Sequence, residues 1–274
     1  MTEIARRDNT PERTFTPDDD YTGPVLADVT CPDGVVYVTV DQAATVAAVR
    51  VLTRDAADSP AAKAVRETRI TQTAERLVVV VPAVESPGAR FGGTTMSFGG
   101  GRTVINGVTY TGNVTVVNGQ VMGGGAGGTV VQTGVEVHVT LPARSGVRYR
   151  SENGSLHTTG ALVAVDAEAT NGSVNIADVG RLKAEAGNGS VKAGRITEWI
   201  DAEASNGSVK VDSYAGSACR VRAGNGSVNF TVAPAASGRL DIRAGNGSVK
   251  LYGVSNRPDL DVNATAGNGT VRKY

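Results

Sequence analysis

The sequence predicts an all-β protein whose second half is a parallel β-solenoid, on the basis of three observations. An Asn-Gly pair followed by Ser or Thr occurs seven times, and successive pairs lie 17 to 22 residues apart. Apolar and polar residues alternate on both sides of each pair, as they do in half-buried strands. One outward position alternates in charge from repeat to repeat. The predicted unit is a repeat of about 18 residues with two strands and a turn.

The seven Asn-Gly pairs are predicted to be structural turns. Asn and Gly tolerate the positive φ angles that tight turns require. The pairs are Asn153-Gly154, Asn171-Gly172, Asn188-Gly189, Asn206-Gly207, Asn225-Gly226, Asn246-Gly247 and Asn268-Gly269. We predict no catalytic, cofactor-binding or metal-binding residue anywhere in the chain.

Two folds can use this repeat. In an antiparallel meander each Asn-Gly pair closes a hairpin, which places Glu185 opposite Lys192. In a solenoid each repeat is one coil, so that equivalent residues stack about 4.8 Å apart. The residues five positions before the first six asparagines are Arg148, Asp166, Lys183, Asp201, Arg220 and Asp241. This alternation favours the solenoid, although the same stacking brings together Glu168, Glu185 and Glu203, which repel one another.

A single repeat cannot bury its own apolar face, so stability is expected to come from stacking. The position three residues after each asparagine is aliphatic: Leu156, Val174, Val191, Val209, Val228, Val249 and Val271. Each such side chain contributes about 1.5–3 kcal/mol when fully buried. The inward position two residues before the asparagine is mostly alanine, so the predicted interior is too thin for a ligand cavity.

The first part of the chain is predicted to cap the solenoid. Residues 1–23 are polar and are expected to form a disordered tail, and residues 24–87 a strand-rich capping region. Strands are expected at Val25–Val29, Val35–Val40, Val46–Leu52 and Leu77–Val81. The alanine-rich segment Pro60–Arg69 fits a short helix, and a hairpin through Thr68–Thr73 fits as well.

Residues 88–130 form a Gly-rich insertion before the repeats at 131–274, and residues 24–274 are expected to form one continuous domain. Within the insertion, Val104–Val108 and Val114–Gln120 resemble short strands with Asn-Gly turns. The insertion is interpreted either as a flexible projecting tongue or as a partner-binding loop.

Composition and charge exclude several classes of partner. The 274 residues include 27 basic and 27 acidic ones, so binding to nucleic acid or a membrane surface through net charge is not expected. No apolar run has the length that a bilayer requires, and the first residues lack a signal-peptide pattern. The chain is therefore expected to be cytoplasmic, with any membrane association arising through a partner.

The two cysteines of the chain are consistent with the predicted cytoplasmic location. Cys31 and Cys219 are far apart in the sequence. Cys219 falls at an inward position, where it is interpreted as a small buried residue, with a disulfide or redox role as the alternative.

Few residues of the sequence have the arrangement that a catalytic site requires. His138 and His157 are the two histidines, and neither has the spacing of a metal ligand. Two outward carboxylate pairs have the reach for general acid and base catalysis in a polysaccharide-cleaving β-helix: Asp166 with Glu168, and Asp201 with Glu203. The charge column explains the same residues, so the protein is predicted not to be an enzyme and to need no cofactor.

Four short runs carry a resemblance to a known family. They are Ala-Gly-Asn-Gly-Ser-Val-Lys-Ala at 186–193, Ser-Asn-Gly-Ser-Val-Lys-Val at 205–211, Ala-Gly-Asn-Gly-Ser-Val-Asn-Phe at 223–230 and Leu-Pro-Ala at 141–143. The chain resembles a bacterial β-strand-repeat family of unknown function whose members are provisionally labelled adhesins. The resemblance covers residues 25–274 and implies a β-helical fold and a non-catalytic role, and it transfers no functional residue.

Two functions from different classes remain. The favoured one is a structural or interaction scaffold that binds a protein partner or self-associates, along its length or through the insertion. The alternative is a carbohydrate-binding or carbohydrate-cleaving β-helix, which would present clustered exposed aromatic residues. Trp199, Tyr214 and Tyr252 are few and scattered for that purpose.

Overall fold

The computed structural model describes residues 11–15, 21–84 and 134–274 and, between them, the strand segments 96–98, 102–105, 108–111, 114–117 and 120–122. Strands make up 60% of the structure and helix 4%, as the all-β prediction requires. Within the described residues no helix is long and apolar enough to cross a membrane.

The N-terminal region contains, in its described part, six strands and one helix. They are β1 (Glu12–Phe15), β2 (Leu26–Thr30), β3 (Gly34–Asp41), β4 (Ala48–Leu52), α1 (Pro60–Glu67), β5 (Arg69–Gln72) and β6 (Arg76–Val80). The four predicted strands correspond to β2, β3, β4 and β6. The predicted helix is present, and a hairpin follows it directly because β5 pairs antiparallel with β6.

The insertion contains short strands in the segments that the structure describes. They are β7 (Met96–Phe98), β8 (Arg102–Ile105), β9 (Val108–Thr111), β10 (Val114–Val117) and β11 (Gln120–Met122). Strand β8 pairs antiparallel with β9, and β10 pairs antiparallel with β7 and β11. The predicted turn at Asn106-Gly107 and the glycine runs at 99–101 and 123–125 lie outside the described residues.

The repeats form the remaining strands. They are β12 (Val135–Pro142), β13 (Gly146–Ser151), β14 (Ser155–Thr159), β15 (Ala161–Ala169), β16 (Val174–Ala186), β17 (Val191–Ala204), β18 (Val209–Tyr214), β19 (Ala218–Ala223), β20 (Val228–Val232), β21 (Gly238–Ala244), β22 (Val249–Tyr252), β23 (Leu260–Ala266) and β24 (Val271–Lys273). Strands β16 and β17 are long because each continues from one face of the coil around a bend to the next face.

Equivalent residues of successive coils lie directly over one another, which confirms the predicted solenoid. The strands that follow the asparagines pair in parallel, with Val174 opposite Val191 and Val191 opposite Val209. The strands that precede the asparagines also pair in parallel, with Lys183 opposite Asp201. The antiparallel meander is not formed, and the solenoid runs for about six turns.

Columns of side chains fill the interior. The aliphatic residues three positions after the asparagines are buried from Leu156 to Val249. The strands on the other side contribute Leu182, Ile200, Cys219 and Leu240, and the bend of the coil contributes Leu162, Val179, Ile196, Tyr214 and Val232. Because these columns are continuous, each coil buries its apolar side chains against the coils above and below it.

The capping region supplies one further coil that lacks Asn-Gly. Strands β2 and β3 flank Asp33-Gly34, and they pair in parallel with β13 and β14 respectively. On its other side this coil meets β6 and β12, again in parallel. The chain passes through the insertion between β6 and β12, so the insertion stands where the other coils have their Asn-Gly pair.

Antiparallel strands and helix α1 close the N-terminal end of the solenoid. Strand β4 pairs antiparallel with β12, and β1 pairs antiparallel with β4. Helix α1 begins after Ser59, whose Oγ accepts a hydrogen bond from the Ala62 backbone N–H at 3.1 Å. The prediction of a disordered tail is wrong for Glu12–Phe15, because Arg50 pairs with Glu12 at 2.7 Å and Phe15 packs against the core.

Candidate functional site

The predicted turn asparagines form one continuous hydrogen-bonded line, which we call the asparagine ladder. In each step the Nδ2 of one asparagine donates to the Oδ1 of the asparagine on the preceding coil, at 2.6 to 2.9 Å. The ladder comprises Asn153, Asn171, Asn188, Asn206, Asn225, Asn246 and Asn268. It ends on the capping coil, where Asn153 Nδ2 donates to Asp33 Oδ1 at 2.8 Å.

Contact between coils explains the glycine that follows each asparagine. A Cβ atom on Gly172 would lie 1.6 Å from the carbonyl oxygen of Gly154, and at the other six glycines the corresponding distance is 1.7 to 2.3 Å. All seven pairs, which lie within the described range 134–274, keep φ angles outside the left-handed region. The prediction that positive φ angles select Asn-Gly is therefore wrong. Glycine follows each asparagine because the preceding coil leaves no room for a Cβ atom.

The Ser residues of the first six motifs form a second ladder beside the first. The backbone N–H of Ser173 donates to the Oγ of Ser155 at 3.1 Å, and the same contact recurs from coil to coil as far as Ser248 and Ser227 at 3.2 Å. All three residues of the motif therefore have a structural role in holding successive coils in register.

The first outward face of the solenoid carries charges in near balance. The sign-alternating residues, which we call the alternating column, stack in register and comprise Arg148, Asp166, Lys183, Asp201, Arg220 and Asp241. The stacked carboxylates of Glu168, Glu185 and Glu203 lie beside it. Their repulsion is offset, because Lys183 contacts Glu185 at 3.2 Å and basic residues contact the other two.

The second outward face carries an excess of positive charge. The residues four positions after the asparagines stack in register, and we call them the basic column: His157, Asn175, Lys192, Lys210, Asn229, Lys250 and Arg272. Lys210 contacts Asp212 at 2.8 Å. Within the described part of the chain, Lys192 and Lys250 take part in no ion pair.

At its N-terminal end the basic column continues into a stack of rings. Tyr37 lies between His138 and His157, with ring centroids 4.9 and 5.4 Å apart. Both histidines are strand residues, as predicted. Partial burial lowers the pKa of His157, and the nearby Lys192 lowers it further.

A shallow groove crosses the first face beside Trp199. Trp199 is 36% exposed, Ala218 stands opposite it on the next coil, and Arg239 stands opposite Ala218 on the coil after that. The alternating column borders the groove with Asp201, Arg220 and Asp241. Because Ala218 is small, the indole ring and the Arg239 side chain flank an open floor.

The carboxylate pairs considered for catalysis are engaged in ion pairs. Arg150 contacts Asp166 at 2.9 Å and Glu168 at 3.1 Å. Asp201 lies 3.8 Å from Arg220, and Glu203 lies 4.0 Å from Arg222. Among the described residues no group of three His, Cys, Asp or Glu side chains could hold a metal ion. The register of the coils accounts for these carboxylates.

Both cysteines are buried free thiols, as predicted for Cys219. Cys219 occupies the inward column between Ile200 and Leu240. Burial raises the pKa of the Cys31 thiol to about 12. Burial also raises the pKa of Cys219, and nearby aspartates act in the same direction.

Sequence reasoning missed two features of these surfaces. Asp33-Gly34 takes the place of an Asn-Gly pair, and the alternation of Ala27, Val29, Val36 and Val38 around it is the signal that could have identified it. The groove at Trp199 depends on which side chains meet across coils. Of the aromatic residues named for sugar stacking, Tyr214 is buried, whereas Tyr252 is exposed.

Comparisons with known proteins identify similar solved structures but no family. No family model matches the chain, and no curated protein matches it. A provisionally named adhesin from Bacteroides fragilis is 11% identical, with 97% of this chain and 98% of that chain covered and a TM-score of 0.46. A provisionally named adhesin from Parabacteroides merdae is 11% identical, with 98% and 97% covered and a TM-score of 0.40. A provisionally named cell adhesion protein from Clostridium sporogenes is 10% identical, with 96% and 98% covered and a TM-score of 0.34. These names agree with the resemblance seen in the sequence, while the β-solenoid itself is established by the strand pairing of this chain.

Proposed function

We propose that the protein is a non-catalytic scaffold that binds an acidic protein partner along the basic column. The observation that carries the proposal is the row of lysines on the second face. Lys192, Lys210 and Lys250 stand in register on strands fixed by two hydrogen-bonded ladders. Charges on a rigid scaffold favour association with an acidic surface, because little backbone order is lost on binding.

A different protein fits this surface better than a second copy does. Two copies that met face to face through the basic column would oppose like charges. Association of the protein with itself through the basic column is therefore not expected, and light scattering tests this.

The ion pairs of the first face support a non-catalytic role. A carbohydrate-cleaving mechanism needs one protonated and one ionised carboxyl group, and therefore two carboxyl groups in different surroundings. Here Asp201 and Glu203 lie next to arginines of the following coil. The double substitution Asp201→Asn and Glu203→Gln should leave any glycan-hydrolysing activity of the purified protein unchanged, and the loss of such an activity would contradict the proposal.

Site-specific photo-crosslinking tests the partner directly. A photoreactive amino acid at Asn229, between Lys210 and Lys250, should give one discrete covalent product with a cellular protein. The same residue at Glu185, on the opposite face, should not. Charge reversal by Lys192→Glu and Lys250→Glu should abolish the product, whereas Glu185→Lys should leave it. A product at Glu185 alone, or one that survives the lysine reversals, would refute the proposal.

A further inference from the structure

We propose that the groove beside Trp199 binds a single ring of a neutral saccharide. This site lies on the first face, away from the basic column, and it does not depend on the proposed protein partner. Three features carry the inference: an exposed indole ring, a floor without a bulky side chain, and a border of planar polar groups with balanced charge.

The spacing of the coils gives the groove a suitable width. Trp199 and Arg239 are two coils apart, with Ala218 between them. Two strand spacings amount to about 10 Å. A ring held between two planar groups needs about 7–8 Å, since carbon atoms in contact lie about 3.5–4.0 Å apart. The groove can therefore accept a pyranose ring with one face on the indole.

The border of the groove suits hydroxyl groups. Carboxylates only accept hydrogen bonds and guanidinium groups only donate them, whereas each sugar hydroxyl can do both. The groove places Asp201 and Asp241 beside Arg220 and Arg239, two groups of each sign. Arg220 and Asp201 are 3.8 Å apart, which is longer than a direct hydrogen bond, so both keep hydrogen-bonding capacity for a ligand.

Charge balance selects the class of ligand. A polyanion or a polycation would meet as many repelling groups as attracting ones in the groove. An apolar or aromatic ligand would cover these polar groups without forming hydrogen bonds to them, which is unfavourable. A neutral saccharide has an apolar C–H face for the indole and hydroxyl groups for the border, so it uses both parts of the site.

Trp199 is the single tryptophan of the chain, so its emission reports on the groove alone. The purified protein is titrated with cellohexaose, xylohexaose, maltohexaose and N-acetylchitohexaose, with hexagalacturonate as the anionic comparison. At least one neutral oligosaccharide should change the emission saturably. Calorimetry with the same oligosaccharide then allows variants without the tryptophan to be compared.

Two substitutions in the groove and one outside it complete the test. Trp199→Ala should weaken binding about tenfold or more, and Ala218→Gln should weaken it similarly because the new side chain covers the floor. Tyr252→Ala removes an exposed aromatic residue outside the groove and should change the affinity less than about twofold. The proposal is overturned if no neutral oligosaccharide binds, if hexagalacturonate alone binds, or if both groove variants bind as well as the wild type.

Discussion

Replacing Gly207 by alanine should destabilise the solenoid strongly, although the φ angle at this position lies outside the left-handed region that favours glycine. The new Cβ would lie 1.7 Å from the carbonyl oxygen of Gly189. Such contacts normally exceed about 3.2 Å, so the two coils must separate locally by about 1.5 Å. Hydrogen bonds between them, such as Asn206 N–H to Gly187 O at 2.8 Å, would then exceed bonding distance.

The magnitude follows from the contacts that this separation breaks. Besides the Asn206 backbone bond, it stretches Val191 N–H to Ser208 O, now 3.1 Å, and the ladder step between Asn206 and Asn188, now 2.8 Å. Three hydrogen bonds at roughly 0.5–1.5 kcal/mol each, with the accompanying loss of packing, predict a decrease of about 2–5 kcal/mol in the free energy of unfolding.

Gly146→Ala is the matched control for this substitution. Its Cβ would lie 3.3 Å from the nearest atom, the carbonyl oxygen of Ala164, so small shifts can accommodate it. We expect a decrease of less than about 1 kcal/mol. Urea unfolding followed by circular dichroism gives both values. If the two variants have the same midpoint and slope, close stacking is not the reason for the glycines.

Three further predictions concern other residues. Asn206→Ala removes ladder bonds of 2.8 and 2.6 Å and should lower the free energy of unfolding by about 1–2 kcal/mol in urea titrations, whereas an unchanged midpoint would show that the ladder adds no stability. Because the pKa of His157 is lowered in the folded state, the unfolded state binds more protons, so stability should fall as the pH drops below about 6.5. In the same titrations His157→Gln should reduce the loss of stability between about pH 7.5 and 5.5. A pH profile identical to that of the wild type would show that His157 does not cause this loss. Cys31 and Cys219 should react with iodoacetamide only on unfolding, as measured by mass spectrometry, because both thiols are buried with raised pKa values; rapid labelling of the folded protein would contradict this.

The coil architecture could be predicted from the sequence because every repeat shows the same alternation of apolar and polar residues around its Asn-Gly pair. The alternating signs at Lys183 and Asp201 identify stacking, since only a solenoid brings these residues opposite each other. The N-terminal cap could be predicted only in part. Strand β1 depends on pairing with β4, which lies far along the chain, and its Glu12 is held by Arg50. Local composition cannot reveal such a partner.

The reason for Asn-Gly illustrates the same limit. In an isolated sequence the pair indicates a turn with positive φ, because that is its usual local role. The solenoid uses the pair for contacts between coils: the amide of Asn206 bonds to Asn188, and the missing Cβ of Gly207 lets Gly189 approach. These contacts join residues one repeat apart, so they become visible only once the stacking is known.

Function in such an array is expected where a coil departs from the pattern that all coils share. The residues repeated in every coil are those that each coil needs for stacking, and the asparagine ladder and the inward valines are explained by that need. The groove arises from two departures: Trp199 is the one tryptophan, and Ala218 leaves its floor open. The basic column lies at a position that every coil has, but its lysines do not occur in every coil, and Lys192 and Lys250 add charge that stacking does not use. Consensus positions therefore report on stability, whereas substitutions at these non-consensus positions should affect binding with little effect on the free energy of unfolding.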